Sequence, residues 1–118
     1  MRETATLAED LGTVTARYHA LFSPIRLGPI VLCNRAAVAP MTRTSATHEG
    51  HATRQMASYC ASVARGGFAL ITTEGSYTDQ ARSQVYDNQP GLATPAQAAA
   101  WRVVVDAVHH GRGVPSSN

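Results

Sequence analysis

Two short apolar runs rich in β-forming residues, "AAVAPM" (Ala36 to Met41) and "FALITT" (Phe68 to Thr73), begin about 30 residues apart, and this spacing constrains the fold more than any other feature. Each run is continuous rather than alternating, which is the pattern of a strand covered on both faces, as in parallel sheets. Between them Met56, Tyr59, Cys60 and Val63 recur at helical spacing and Gly66-Gly67 follows as a stop, so a helix of about three turns is predicted. Strand, helix and strand in this order make a βαβ unit. A long loop, "GSYTDQARSQVYDNQPGLA", then leads to Thr94, with Pro95 at the first helical position and Gln97 three residues past the threonine, a capping box. The helix that it opens sets Trp101, Val104, Val105 and Val108 on one face and stops at Gly111.

Upstream, "SPIRLGPIVLCNR" alternates Ile25 and Leu27 before Gly28-Pro29 and Ile30 and Leu32 after it, the pattern of a tight hairpin. Leu7, Leu11, Val14 and Tyr18 outline a weak amphipathic helix, and residues 1–20 read as an N-terminal appendage.

With 118 residues, 44% hydrophobic and 15% charged, the chain has the composition of one globular domain. Its 10 basic and 8 acidic residues are scattered, with no basic run and no aromatic interleaving, which argues against nucleic acid as a partner. Cys33 and Cys60 stand apart from any second cysteine, so reduced thiols are expected and neither a zinc site nor a disulfide framework is signalled. The acidic N-terminus has no apolar signal-peptide core, and no apolar stretch approaches the roughly 18 residues that a membrane span needs, so a cytoplasmic protein without membrane association is expected.

Each predicted parallel strand is followed by a long loop at its C-terminal end, where α/β folds hold their ligands. The segments "LFSPIRLGPIVLCNRAAVAPMTRTSA", "SYCASVARGGFALITTEGSYTD" and "QPGLATPAQAAAWRVVVDAVHHGRG" resemble, in order and spacing, the start of the Old Yellow Enzyme family of FMN-dependent NAD(P)H oxidoreductases and ene-reductases. The resemblance implies an α/β fold, the N-terminal part of a TIM (β/α)8 barrel comprising the floor hairpin plus the first two βα units. Residues 21–113 would be that partial barrel and 114–118 an atypical short tail. It also implies FMN as cofactor, NAD(P)H as reductant and a small-molecule activated alkene as substrate.

Carried over residue by residue, Ala39, Pro40 and Met41 would line the flavin ring, the Thr42 hydroxyl would donate toward its O4 and N5 edge, and Gly75 would approach the same edge. Some members of the family carry Cys where this chain has Thr42. The chemistry agrees with these residue types: a flavin that has taken hydride at N5 needs donors at its pyrimidine edge, and a glycine lets backbone come close to a flat ring. Taken singly, Thr42 reads as a turn cap, Gly75 as a turn glycine, and Pro40 and Met41 as a strand end and a core filler. The joint pattern is what raises them.

Other candidates carry less. His48-Glu49-Gly50-His51 misses the H-E-x-x-H spacing and reads as a solvated loop, so no metal site is expected. His109-His110 closes the second helix, where cationic side chains suit the dipole. Gly111-Arg112-Gly113 follows a helix rather than a strand, with Pro115 close behind, and is rejected as a dinucleotide fingerprint. Tyr77 and Tyr86 lie in the loop after the second strand, at the edge of the expected site. No residue is assigned a catalytic role.

The family barrel takes about 250 residues. Where the resemblance implies a third strand ending in a flavin-binding Gln, this sequence reads "GRGVPSSN". The expectation is therefore an N-terminal portion of the enzyme, inactive alone, self-associating through its open sheet edges. The alternative is a truncated, noncatalytic product that at most associates with another chain.

Overall fold

A computed structural model describes residues 12–111 of the chain. The predicted tail and the Gly111-Arg112-Gly113 motif beyond its first residue lie outside the described residues, as do Leu7 and Leu11. The chain divides into two compact units, one ending at Ala36 and one beginning at Ala37.

In the first unit residues 12–17 are helical (α1). The hairpin follows: β1 (Ile25–Leu27) pairs antiparallel with β2 (Ile30–Leu32), with Leu27 opposite Ile30, so Gly28 and Pro29 are the whole turn. A two-residue hairpin turn needs positive φ at its first position, and Gly28 supplies it at +61°. Leu27, Ile30 and Val31 are exposed, so the hairpin buries no core of its own.

The second unit contains β3 (Ala37–Val38), α2 (Arg54–Arg65), β4 (Leu70–Ile71) and α3 (Pro95–Gly111). β3 and β4 pair parallel, Ala37 beside Leu70 and Val38 beside Ile71, and the Thr72 N–H extends the ladder to the Val38 carbonyl at 3.0 Å. This is the predicted βαβ unit. The paired stretches are shorter than the apolar runs because each strand has a single neighbour, and because Pro40 has no N–H to offer the ladder.

α2 starts where the Thr53 hydroxyl accepts the Met56 N–H at 3.3 Å, and it ends at Gly66, with Gly67 at φ +109° turning the chain out. α3 opens on the predicted capping box: Thr94 Oγ1 accepts the Gln97 N–H at 3.2 Å and Gln97 Oε1 accepts the Thr94 N–H at 3.1 Å. The two helices pack together over a core of Ala46, Met56, Ala57, Cys60 and Val104, with Ile71 and Trp101 against it.

The buried stripe of each helix differs in detail from the predicted one. On α2, Ala57, Ala61 and Ala64 are buried while Tyr59 and Val63 are only half-buried, because small side chains allow the helices to approach closely. On α3, Val104 is 2% exposed and its neighbour Val105 is 45% exposed, since a single seam admits only one of two adjacent positions.

Both long loops are tied to the start of α3. Gln97 is 1% exposed, and the two hydrogens on its Nε2 are shared among three acceptors, the Glu49 carbonyl (2.9 Å), the Tyr77 hydroxyl (2.9 Å) and Gln80 Oε1 (3.0 Å), while its Oε1 also accepts the Ala93 N–H at 2.8 Å. Tyr77 is buried beside it and pairs along Gly91, its N–H donating to Pro90 O and its carbonyl accepting from Leu92 N. Gly91 is required here: a Cβ would lie 2.5 Å from Tyr77 Cζ and 2.6 Å from Gln97 Nε2.

Candidate functional site

The parallel register brings the C-terminal tips of β3 and β4 to the same end of the second unit. Beside those tips lies an open groove. Val38, Ala39 and Met41 line it from one strand and Ile71 to Glu74 from the other, with Met56, Tyr59 and Cys60 of α2 and Trp101 of α3 completing the wall.

Of the five predicted residues, Ala39 and Met41 line this groove, whereas Pro40, Thr42 and Gly75 do not. All five are exposed. Gly75 is open: a Cβ placed on it would meet the Gln89 amide nitrogen at 3.9 Å and nothing nearer. Its carbonyl accepts from Gln89 Nε2 at 3.0 Å, and Gln89 Oε1 in turn accepts the Val85 N–H at 2.8 Å, which shapes the loop after β4.

Sequence reasoning passed over the residue that joins the two tips. Glu74, 8% exposed, accepts from the backbone N–H groups of Arg43 (3.1 Å) and Thr44 (3.3 Å) through one carboxylate oxygen. A signal was available, because a carboxylate that follows directly on an apolar strand must find donors or stay in water. The guanidinium of Arg43 lies over the Tyr59 ring, 3.7 Å from its centroid, a cation–π contact that anchors the loop to α2. Thr44 sits at φ +51°, a conformation that β-branched residues rarely take.

Cys60 faces the same groove. Burial pushes its thiol up from the ordinary value, Arg43 pulls it partly back and Glu74 adds to the rise. It therefore stays a neutral thiol at neutral pH and is no nucleophile.

The remaining sequence candidates settle into structural parts. His48 and Glu49 are exposed in a turn closed by the Gly50 N–H on the Thr47 carbonyl at 2.9 Å, and no group of His, Cys, Asp and Glu among the described residues is arranged to hold a metal. His109 and His110 are exposed in the last turn of α3. Tyr77 is buried in the Gln97 cluster instead of edging the groove, while Tyr86 is exposed. No described helix is long and apolar enough to cross a membrane.

Parallel strands followed by helices, with a groove at the strands' C-terminal tips, are the layout of (β/α)8 barrel enzymes. The profile of the NADH:flavin oxidoreductase / NADH oxidase family matches residues 20–114, and the chain belongs to that family. It is 43% identical over 89 residues to the chanoclavine-I aldehyde reductase fgaOx3 of Penicillium roqueforti, an alignment that takes in 75% of this chain and 24% of that protein. Among solved structures it is similar to the Old Yellow Enzyme of Pichia sp. AKU4542 (TM-score 0.74, 34% identity, 79% of this chain and 24% of that one). The Old Yellow Enzyme homologue of Zymomonas mobilis matches comparably (TM-score 0.72, 36% identity, 80% and 26%). The chain spans about a quarter of the length of the curated relatives that it matches. The fold is thus the N-terminal part of such a barrel, and the described residues form no closed barrel.

Proposed function

We propose that this stretch forms one flank of an FMN site in an ene-reductase-type oxidoreductase that uses NAD(P)H and acts on a small activated alkene. One observation carries the reading: the parallel pairing of β3 with β4, which makes the Thr42 and Gly75 ends of the two strands neighbours. The residues there suit a flat heterocycle. Ala39, Pro40 and Met41 are small or apolar and exposed, so a ring laid on them would be shielded from water, and the space in front of Gly75 is clear.

When bound, FMN would supply hydride transfer between NAD(P)H and the alkene. The part of this chain is to bind and orient. Thr42 Oγ1 would donate toward the ring's pyrimidine edge, where negative charge collects, and backbone near Gly75 would close on the same edge. Among the described residues no proton donor for the alkene is assigned, so binding rather than turnover is the direct readout. The same reading places the chain in the cytoplasm and has its sheet edges associate with a second chain.

The test is an FMN titration of the purified chain, followed by flavin absorbance and fluorescence and by backbone amide resonances. Binding that perturbs the amides of Thr42 and Gly75 is expected, and Thr42→Val should weaken it by about tenfold, the worth of one hydrogen bond to a charged acceptor. Unchanged spectra up to millimolar FMN would leave the noncatalytic alternative in its place.

A further inference from the structure

The tips of β3 and β4 are not left to find each other through the short ladder alone. Between them sits a side chain whose position is costly unless it has a use. Glu74 directly precedes Gly75, it is buried, and both N–H groups within its reach belong to the two residues that follow Thr42. A carboxylate that accepts backbone N–H groups makes shorter, stronger and more directional bonds than a neutral acceptor. Thr42 is therefore bracketed by Met41, which lines the groove, and by Arg43, whose N–H is held by Glu74 and whose guanidinium is held over Tyr59.

Thr44 supplies an independent mark. A threonine at φ +51° persists only where its surroundings over-determine the backbone, and such residues gather at sites that need a fixed geometry. Its N–H goes to the same Glu74 oxygen, at 3.3 Å. Apart from this clamp, the local sequence "MTRTS" has no glycine or asparagine to favour that turn.

We propose that Glu74 is a positioning residue, whose carboxylate fixes the Arg43-Thr44 backbone and so presents Thr42 at the same mouth as Gly75. It acts through the loop and not on the ligand. The presentation of Thr42 to a flavin rests on the function proposed above, whereas the clamp itself does not.

The experiment compares the wild-type chain with Glu74→Ala, Glu74→Asp and Glu74→Gln by amide hydrogen exchange and FMN titration. The Ala and Asp variants, which remove or shorten the acceptor, should exchange the Arg43 and Thr44 amides about tenfold faster and bind FMN about tenfold more weakly, as for the loss of about one hydrogen bond. Gln keeps an oxygen at the same reach but not the charge, and should return both properties about half of the way to wild type. Amides within α2 and α3 act as the internal control, and if Glu74→Ala does not fold, Glu74→Asp carries the comparison. Unchanged exchange at Arg43 and Thr44 overturns the clamp. Faster exchange with equal FMN affinity in every variant overturns the positioning role. Failure of the wild type to bind FMN removes the flavin reading and leaves the clamp to be decided by the exchange rates.

Discussion

The two ends of the long loops in the second unit are built on opposite terms. Around Gln97 the buried amide and the buried Tyr77 hydroxyl are both partnered, and glycines are placed so that they can close on backbone. Around Thr42 and Gly75 the surface is exposed, a threonine is held in a strained turn, and a buried carboxylate together with the Arg43–Tyr59 contact does the holding. Rigid closure at one end supplies the anchor that allows the other to stay open for a ligand.

The contrast breaks most sharply at Gly91. Gly91→Ala drives a methyl into Tyr77 and Gln97 and should lower unfolding stability by about 3 kcal/mol in a denaturant titration. Gln97→Ala strands the Ala93 and Thr94 N–H groups and leaves the Glu49 carbonyl with only the Tyr77 hydroxyl at 3.3 Å, and a loss of roughly 2 kcal/mol is expected, with the start of α3 losing exchange protection. A smaller effect comes from Cys60. Its folded thiol holds its proton more tightly than the unfolded one, so the stability it contributes is full below the unfolded value and is lost as pH rises through the folded value. Wild type should therefore weaken more steeply than Cys60→Ala in alkaline unfolding curves. At the open end, Thr42→Val should leave stability within about 0.5 kcal/mol of wild type while changing flavin affinity. A large stability loss there would erase the distinction between the two ends.

Much of the fold was legible in the sequence because its signals are local. The Gly28-Pro29 turn, the Gly66 end of α2 and the Thr94–Gln97 box each involve residues within a few positions of one another. The parallel pairing was legible from two continuous apolar runs and the helix between them, but the expected cover on both faces is not found: Ala37 and Leu70 are exposed and Val38 and Ile71 half-buried, since each strand has one neighbour and only one helix-packed side. What escaped was long-range. Gln97 was read as a cap, and nothing in its neighbourhood announces that its amide reaches Glu49, 48 positions back. Glu74 escaped in the same way, its partners lying 30 and 31 positions upstream. The five site residues came from family resemblance. Periodicity places them at strand tips, but it cannot say that Ala39 and Met41 line a groove that Pro40, Thr42 and Gly75 do not.

The double use of Gln97 has a bearing on how this unit comes apart. Its carbonyl oxygen starts a helix and its nitrogen ties down two distant loops, so fraying at the first turn of α3 and loosening of those loops are one event. A side chain of this kind makes one cooperative unit of a helix start and two loops that are far apart in the chain.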